Sequence, residues 1–385
     1  MPENFLPCDQ TMNILHLSAV ANWGGGENHL QNLCAGLKDP SYEVRNFILC
    51  NAGGQFHKRL QETDLSYFPG NLLFKMDPRY ILKIRSLCKS EKIDLIHIHD
   101  TTALTLAVMA GHLFTLPPFV FSKKTSFPVK PRKQTLYKYN YHKIKKVLCV
   151  SKATAAITSE SVDNKEKIEV IYHGTNTEAL KKLSSLNLRK KLNLSPETLI
   201  IGNIANHIRA KDLETFVRTA AEIINNQQIK NVHFVQVGTF TNRTADIKNL
   251  TRKLNLDSHI SYLGEQRDAA GLIPQFDISL MSSQSEGLPQ FILESLYHEV
   301  PVVSTNVGGI PEIIEDGVNG LLSPAHDHLS LANNLVSLIQ NEELRRTFTK
   351  RTRETVEEKF TSHSMALKTL DIYKEINYGS DKTGN

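Results

Sequence analysis

The sequence predicts an α/β protein of two Rossmann-like halves, each a parallel sheet covered by helices. Three observations carry that expectation. Short apolar strands alternate with helical stretches from residue 12 onward, the pattern that places crossover helices on both faces of a parallel sheet. The alternation restarts after a polar, basic stretch at 178–196. The chain has 385 residues, 40% hydrophobic and 22% charged, which suits two domains and disfavours disorder, collagen or a coiled coil.

In the first half, strands are expected at 12–18 (MNILHLS), 43–50, 94–99 (DLIHIH), 119–122 and 146–150, with a helix at 78–90. A glycine run, Gly24-Gly25-Gly26-Glu27, joins the first strand to a helix reaching about residue 37. The strand before VIYHGTNT at 170–177 closes this half. The second half repeats the pattern with strands at 198–205, 232–237, 259–263, 278–281 and 302–304 and a helix at 212–225. One charged amphipathic helix is expected over 342–360, a further helix over 362–377 packing back on the first domain, and fraying from Tyr378. The domain limits are thus 12–177 and 178–361, with the last helix beyond them.

Cys8, Cys34, Cys50, Cys88 and Cys149 are scattered and odd in number, which argues against a disulfide framework or a zinc site and fits a reducing compartment. The N-terminal MPENFLPCDQT has no basic, apolar leader pattern. The uncharged segment 101–121 is nearly long enough to span a bilayer. His112 and Pro117-Pro118 interrupt it, so a buried helix followed by a strand is expected, and a cytoplasmic protein.

The most informative segment is 282–322, SSQSEGLPQFILESLYHEVPVVSTNVGGIPEIIEDGVNGLL. Gly287 breaks the backbone after Glu286, and Pro289 suits the first helical position. Glu294 then lies about one and a half turns into that helix. Both carboxylates approach a ligand held at the helix N-terminus, where free N–H groups attract phosphate. A carboxylate accepts two hydrogen bonds from a vicinal diol, as ribose and hexose rings offer. Gly308-Gly309 permits a tight loop on the same crevice. In the first half, Gly25 and Gly26 let the backbone come close to a pyrophosphate at a helix N-terminus, although the run does not follow the dinucleotide pattern G-x-G-x-x-G.

The order SEGLPxxxLEsl, PVVsTnvGGxPEii and dGvNGlL resembles the signature of the retaining glycosyltransferase family 4, of the bacterial cell-envelope glycan type. The resemblance implies the GT-B fold, in which two Rossmann-like domains face each other across a cleft. It implies transfer of a hexose or N-acetylhexosamine from a nucleotide-sugar, UDP-sugar favoured, to a lipid-linked or lipopolysaccharide/capsule-type glycan. The donor would lie mainly on the second domain and the acceptor on the first. Glu286 would contact the donor sugar, Glu294 the ribose, Gly25 and Gly26 the phosphates, with Gly287, Leu288 and Arg267 beside them. Lys211 fits the family's phosphate lysine, so Glu286 and Lys211 are the catalytic candidates. The arginine expected five residues earlier is Asn206 here, or Asn203 with a shifted gap. Arg209 or a helix N-terminus is the proposed substitute, since losing a guanidinium removes a bidentate phosphate contact. A relative with epimerase chemistry and a silent nucleotide-sugar-binding module are the alternative readings.

His97 and His99 alternate with isoleucines and so share one side of their strand. The C-terminal end of a strand in an open sheet is where ligands bind, so His99 or Asp100 is expected on the cleft. His-x-His also suggests a metal, yet no third ligand is near in sequence and no Asp-x-Asp occurs; neither metal nor cofactor is expected. Where family members carry a donor-sugar histidine, this sequence has Lys123 and Lys124, read as acceptor-side residues. The net charge is only +5. Between 101 and 159 there is no acid, while ten lysines and arginines fall between Lys123 and Lys152. Phe127, Tyr137, Tyr139 and Tyr141 interleave with them. That block predicts attraction to an anionic membrane surface or acceptor, without any nucleic-acid module.

Overall fold

The computed structural model describes residues 11–379; Cys8, the rest of the N-terminal leader reading and residues 380–385 lie outside them. The first sheet contains β1 (Met12–Leu17), β2 (Val44–Asn51), β3 (Ser66–Gly70), β4 (Leu95–Ile98), β5 (Phe119–Lys123), β6 (Ile144–Cys149) and β7 (Ile168–Val170). They pair in the order β3-β2-β1-β4-β5-β6-β7, with every pairing parallel. The second contains β8 (Leu199–Ile204), β9 (Val232–Val237), β10 (Ile260–Tyr262), β11 (Ile278–Met281), β12 (Val302–Thr305) and β13 (Leu321–Ser323), in the order β10-β9-β8-β11-β12-β13. Each sheet reverses direction of growth once, between β1 and β4 and between β8 and β11. Ligands bind outside the strand C-termini at such switch points.

Burial on both sheet faces explains the near-continuous apolar strands. Leu15, Leu17, Ile96, Ile98, Phe119 and Phe121 pack on one face with Tyr80, Ile84 and Leu104. Met12, Ile14, Leu95 and Val120 point to the other face. There they meet Met365, Ala366, Leu370 and Tyr373 of the helix Ser362–Tyr378, which crosses back from the second domain. Where the chain crosses, Thr175 N–H donates to Phe360 O and Ser362 N–H to Thr175 O, both at 2.8 Å. A Cβ at Gly174 would sit 2.2 Å from Thr361 O, so the two crossings need glycine to pass.

The sequence reading overlooked β3, whose SYFPG contains a proline that an edge strand tolerates, and β13, which has only three residues. The stretch 178–196 is not a bare linker, because Leu180 and Leu188 are buried in the second domain's core. The single helix expected over 342–360 is two, Glu342–Thr349 and Thr352–Lys359, broken at Arg351 with φ 72°. Phe348 packs into one core cluster and Val356 and Phe360 into another, which one straight helix does not reach. The segment 101–121 is the helix Thr101–Leu113 followed by β5. No helix among the described residues is long and apolar enough to cross a membrane.

Candidate active site

Two adjoining cavities lie between the domains at the C-terminal edges of the sheets. One, of about 480 Å³, is walled by Trp23, Asn206, Arg267 and Glu294 among others. The other, of about 340 Å³, is walled by Gly26, Glu27, His99, Lys124, Glu286 and Gly287 among others. Gly25, Lys211, Pro289 and Gln290 belong to both. A ligand reaching from one cavity into the other therefore passes the glycine run and Lys211.

Glu286 sits in the loop after β11. Its Oε1 accepts from Lys211 Nζ at 2.5 Å, and both side chains are largely buried, so the pair is shielded from solvent screening. Glycines hold the loop in place. Gly308 adopts φ 56°, and a Cβ there would lie 1.7 Å from Glu286 O; Gly309 N–H donates to Gly287 O at 3.0 Å. Gly287 itself abuts the other domain, where an added Cβ would meet Lys124 O at 2.1 Å. Leu288 lines the second cavity beside it. The next helix is Gln290–Tyr297, with Pro289 at its N-cap rather than its first turn, a one-residue difference from the sequence reading. Glu294 carries its carboxylate to the first cavity without a hydrogen-bonding partner among the described residues, and burial pushes its pKa up to about 7.

In the first domain, Gly24 caps the helix Gly25–Gly36. A Cβ at Gly25 would meet nothing within 4 Å, and neither Gly25 nor Gly26 has a positive φ. The fold alone does not call for glycine there; Gly25 lines both cavities and Gly26 the second. Glu27 follows, its pKa raised to about 7, chiefly by burial.

Several sequence-predicted residues sit otherwise than expected. Asn206 lines the first cavity, but its amide is engaged: Oδ1 accepts from Thr239 N–H at 2.9 Å and Nδ2 donates to Trp23 O at 3.3 Å. Asn203 is buried in β8, donating to Leu280 O. Arg209 is exposed and lines neither cavity, because it opens the short turn Arg209–Lys211 that delivers Lys211 instead. Arg267 is at the mouth of the first cavity, paired with Glu62 of the other domain. Lys123 lines the second cavity as well, but it points to the sheet face opposite Lys124, and its ammonium donates to Thr125 and Phe127 of its own loop. Asp100 reaches the second cavity while capping the helix Thr101–Leu113 and holding Ala19 N–H at 2.7 Å.

The histidines need a correction. A third imidazole does lie beside His97 and His99: the parallel register sets His16 opposite His97, and nitrogens of the three rings lie within 4.8 Å of one another. These nitrogens are hydrogen-bonded. His16 bonds His99 at 3.0 Å and Asn46 at 2.9 Å, and His97 bonds Tyr373 and Ser122. Burial holds all three pKa values below the usual histidine range, and a metal ion placed among them would face the Lys124 ammonium. The sequence reading also passed over His173 and Gln290, hydrogen-bonded at 2.6 Å across the domains, with Gln290 reaching Asn28 as well. Arg59, stacked 4.2 Å over Trp23, was missed too. His173 had one signal, its place before Gly174 at a strand end; the others had none.

Two facing parallel-sheet domains with this shared cleft have the GT-B architecture. The comparisons agree. Residues 23–179 match the model described as Glycosyltransferase Family 4, and residues 195–341 match Glycosyl transferases group 1. The N-acetyl-alpha-D-glucosaminyl L-malate synthase of Bacillus anthracis is 25% identical over 78% of this chain and 80% of that protein. The UDP-Gal:alpha-D-GlcNAc-diphosphoundecaprenol alpha-1,3-galactosyltransferase of Escherichia coli is 23% identical over 86% and 88%. Among solved structures, Anabaena Alr3699/HepE in complex with UDP and glucose superposes with a TM-score of 0.83, at 20% identity, over 94% of this chain and all of that one. The chain belongs to the family 4 glycosyltransferases.

Proposed function

We propose that this glycosyltransferase moves a hexose or N-acetylhexosamine from a UDP-sugar to a lipid-linked or lipopolysaccharide/capsule-type glycan, with retention of anomeric configuration and without a metal. The observation that carries the reading is the Lys211–Glu286 ion pair, whose lysine lines both cavities and whose carboxylate lines the second. Glu294 in the first cavity suits a ribose diol; Glu286 in the second suits a sugar hydroxyl. Lys211 and the N–H groups at Gly25 and Gly26 stabilise charge developing on the departing diphosphate. The departing oxygen takes the acceptor proton in a front-face substitution, so no protein base is required. Names of relatives that act on a UDP-sugar and a diphosphoundecaprenol acceptor support the substrate classes.

The test is a panel of UDP-, GDP- and ADP-sugars with lipid-linked acceptors, the product read by mass spectrometry and its anomer by NMR. The reading expects one α-donor to give one α-product, and Glu286→Gln to lower turnover at least 100-fold with the fold intact. An inverted product, or full activity in that variant, contradicts it. The engaged amide of Asn206 at the arginine position favours a second reading, a silent binding module, which predicts nucleotide-sugar binding with no product from any acceptor. A new sugar isomer formed without acceptor would instead mark an epimerase.

A further inference from the structure

Same-face positions along β1, β4 and β5 read Met12-Ile14-His16, Leu95-His97-His99 and Val120-Ser122-Lys124, apolar residues giving way to polar ones towards the cleft. At that edge, Lys124 is enclosed. Its Nζ donates to Gly26 O at 2.9 Å and lies 3.2 Å from His99 Nδ1. An ammonium only donates, so His99 accepts at Nδ1 and carries its proton on Nε2. That proton meets His16 Nδ1 at 3.0 Å, and His16 Nε2–H donates to Asn46 Oδ1 at 2.9 Å. The chain of neutral imidazoles is thus oriented from its lysine end and anchors the ammonium in one place.

Two of the three N–H groups of Lys124 are used, and the third has no partner among the described residues. Nor does any described carboxylate come within the 4.0 Å of an ion pair. Burial lowers the pKa of Lys124 to about 8, outweighing the opposing pull of Glu27 and Asp100 on the same cavity wall, and a desolvated ammonium with a free N–H is suited to an anionic ligand. Lys124 shares its cavity with Gly25, Gly26 and Lys211. From the second domain Lys211 lines this cavity, while Asn206 is neutral and engaged and Arg209 lies outside both cavities.

We propose that Lys124 supplies the second positive charge for the nucleoside diphosphate, from the first domain rather than the second. The proposal rests on the reading of the cleft as a nucleotide-sugar site. It makes diphosphate binding depend on the apposition of the domains, because the backbone of Lys124 is the surface against which Gly287 closes.

The test compares binding of UDP and GDP with that of UMP and GMP, by calorimetry, in the full chain and in Lys124→Gln. The variant is expected to lose at least tenfold in affinity for the diphosphate while its monophosphate affinity changes less than threefold. Lys124→Met, similar in length, serves if the glutamine chain does not fold. Unchanged diphosphate affinity overturns the proposal. So does an equal loss for both ligands, or failure of both variants to fold, since either makes the ammonium a structural group. If the unaltered chain binds neither diphosphate, the reading of the cleft fails first and this proposal with it; if it binds one and Lys124→Gln binds it equally, the proposal alone fails.

Discussion

Glu294 is a carboxylate held where the fold gains nothing from its charge. Burial raises its pKa to about 7, above that of the unfolded chain. Between about pH 4.5 and 7 the folded protein therefore binds more protons than the unfolded one, and stability falls as pH rises through that window. Glu294→Gln removes the effect. The variant is expected to be more stable than the parent at pH 8, by about 1–3 kcal/mol, with the difference shrinking towards pH 5. Melting curves across that range check it, and a difference that grows on acidification contradicts it. The same variant should lose nucleotide affinity, the mark of a residue kept for binding. Glu286 and Glu294 were legible in the sequence because local spacing around glycine and proline fixes their place on a loop and helix start, whereas Lys211 stood out only through the family resemblance. His16, His173 and the true station of Lys124 were not, because they depend on the register between strands far apart in the chain.

At the scale of elements, most strands and the helix Pro78–Ser90 follow from apolar runs and turn residues. The errors fell where tertiary packing overrides local pattern, as at Arg351, or where an edge strand holds a proline, as in β3. The loop before Pro78–Ser90 has a property that the sequence pattern did not flag. Leu73, Phe74 and Met76 are 80%, 58% and 55% exposed, yet the loop is tied down, since Asp77 accepts from Leu73 N–H and Arg79 N–H, both at 3.0 Å. Lys75 stands close enough to Lys138 to depress its pKa, after burial, so the apolar tip adjoins the basic block. Within that block Lys146 is paired with Glu169 and Glu375, whereas Lys130, Arg132, Lys133, Lys145 and Lys152 are exposed. Inserting an aromatic side chain into a membrane interface contributes on the order of 1.5–3 kcal/mol. On the membrane reading, Phe74→Asp should cut binding to anionic vesicles at least tenfold in sedimentation, with thermal stability unchanged. Equal binding by the variant, or binding indifferent to anionic lipid, contradicts it.

For the whole molecule, the sequence carried the repeat of two α/β halves, because it is written in hydrophobic periodicity. It did not carry how the halves touch. Asn28 and Gln290, Ser126 and Ser285, Arg267 and Glu62, and Glu312 with the N–H groups of Lys152 and Ala153 all join residues more than 150 positions apart. These contacts bring a glycine-opened helix and Lys124 from one domain against Lys211, Glu286 and Glu294 from the other. Closing the domains excludes water and strengthens each charge interaction inside. The most direct measurement is a crystal structure of the chain with a bound nucleoside diphosphate-sugar. The account predicts the ribose within hydrogen-bonding distance of Glu294, the diphosphate between the Gly25 amide and Lys211, and the sugar against Glu286. A nucleotide bound outside this cleft, or one whose phosphates touch neither Gly25 nor Lys211, would contradict it.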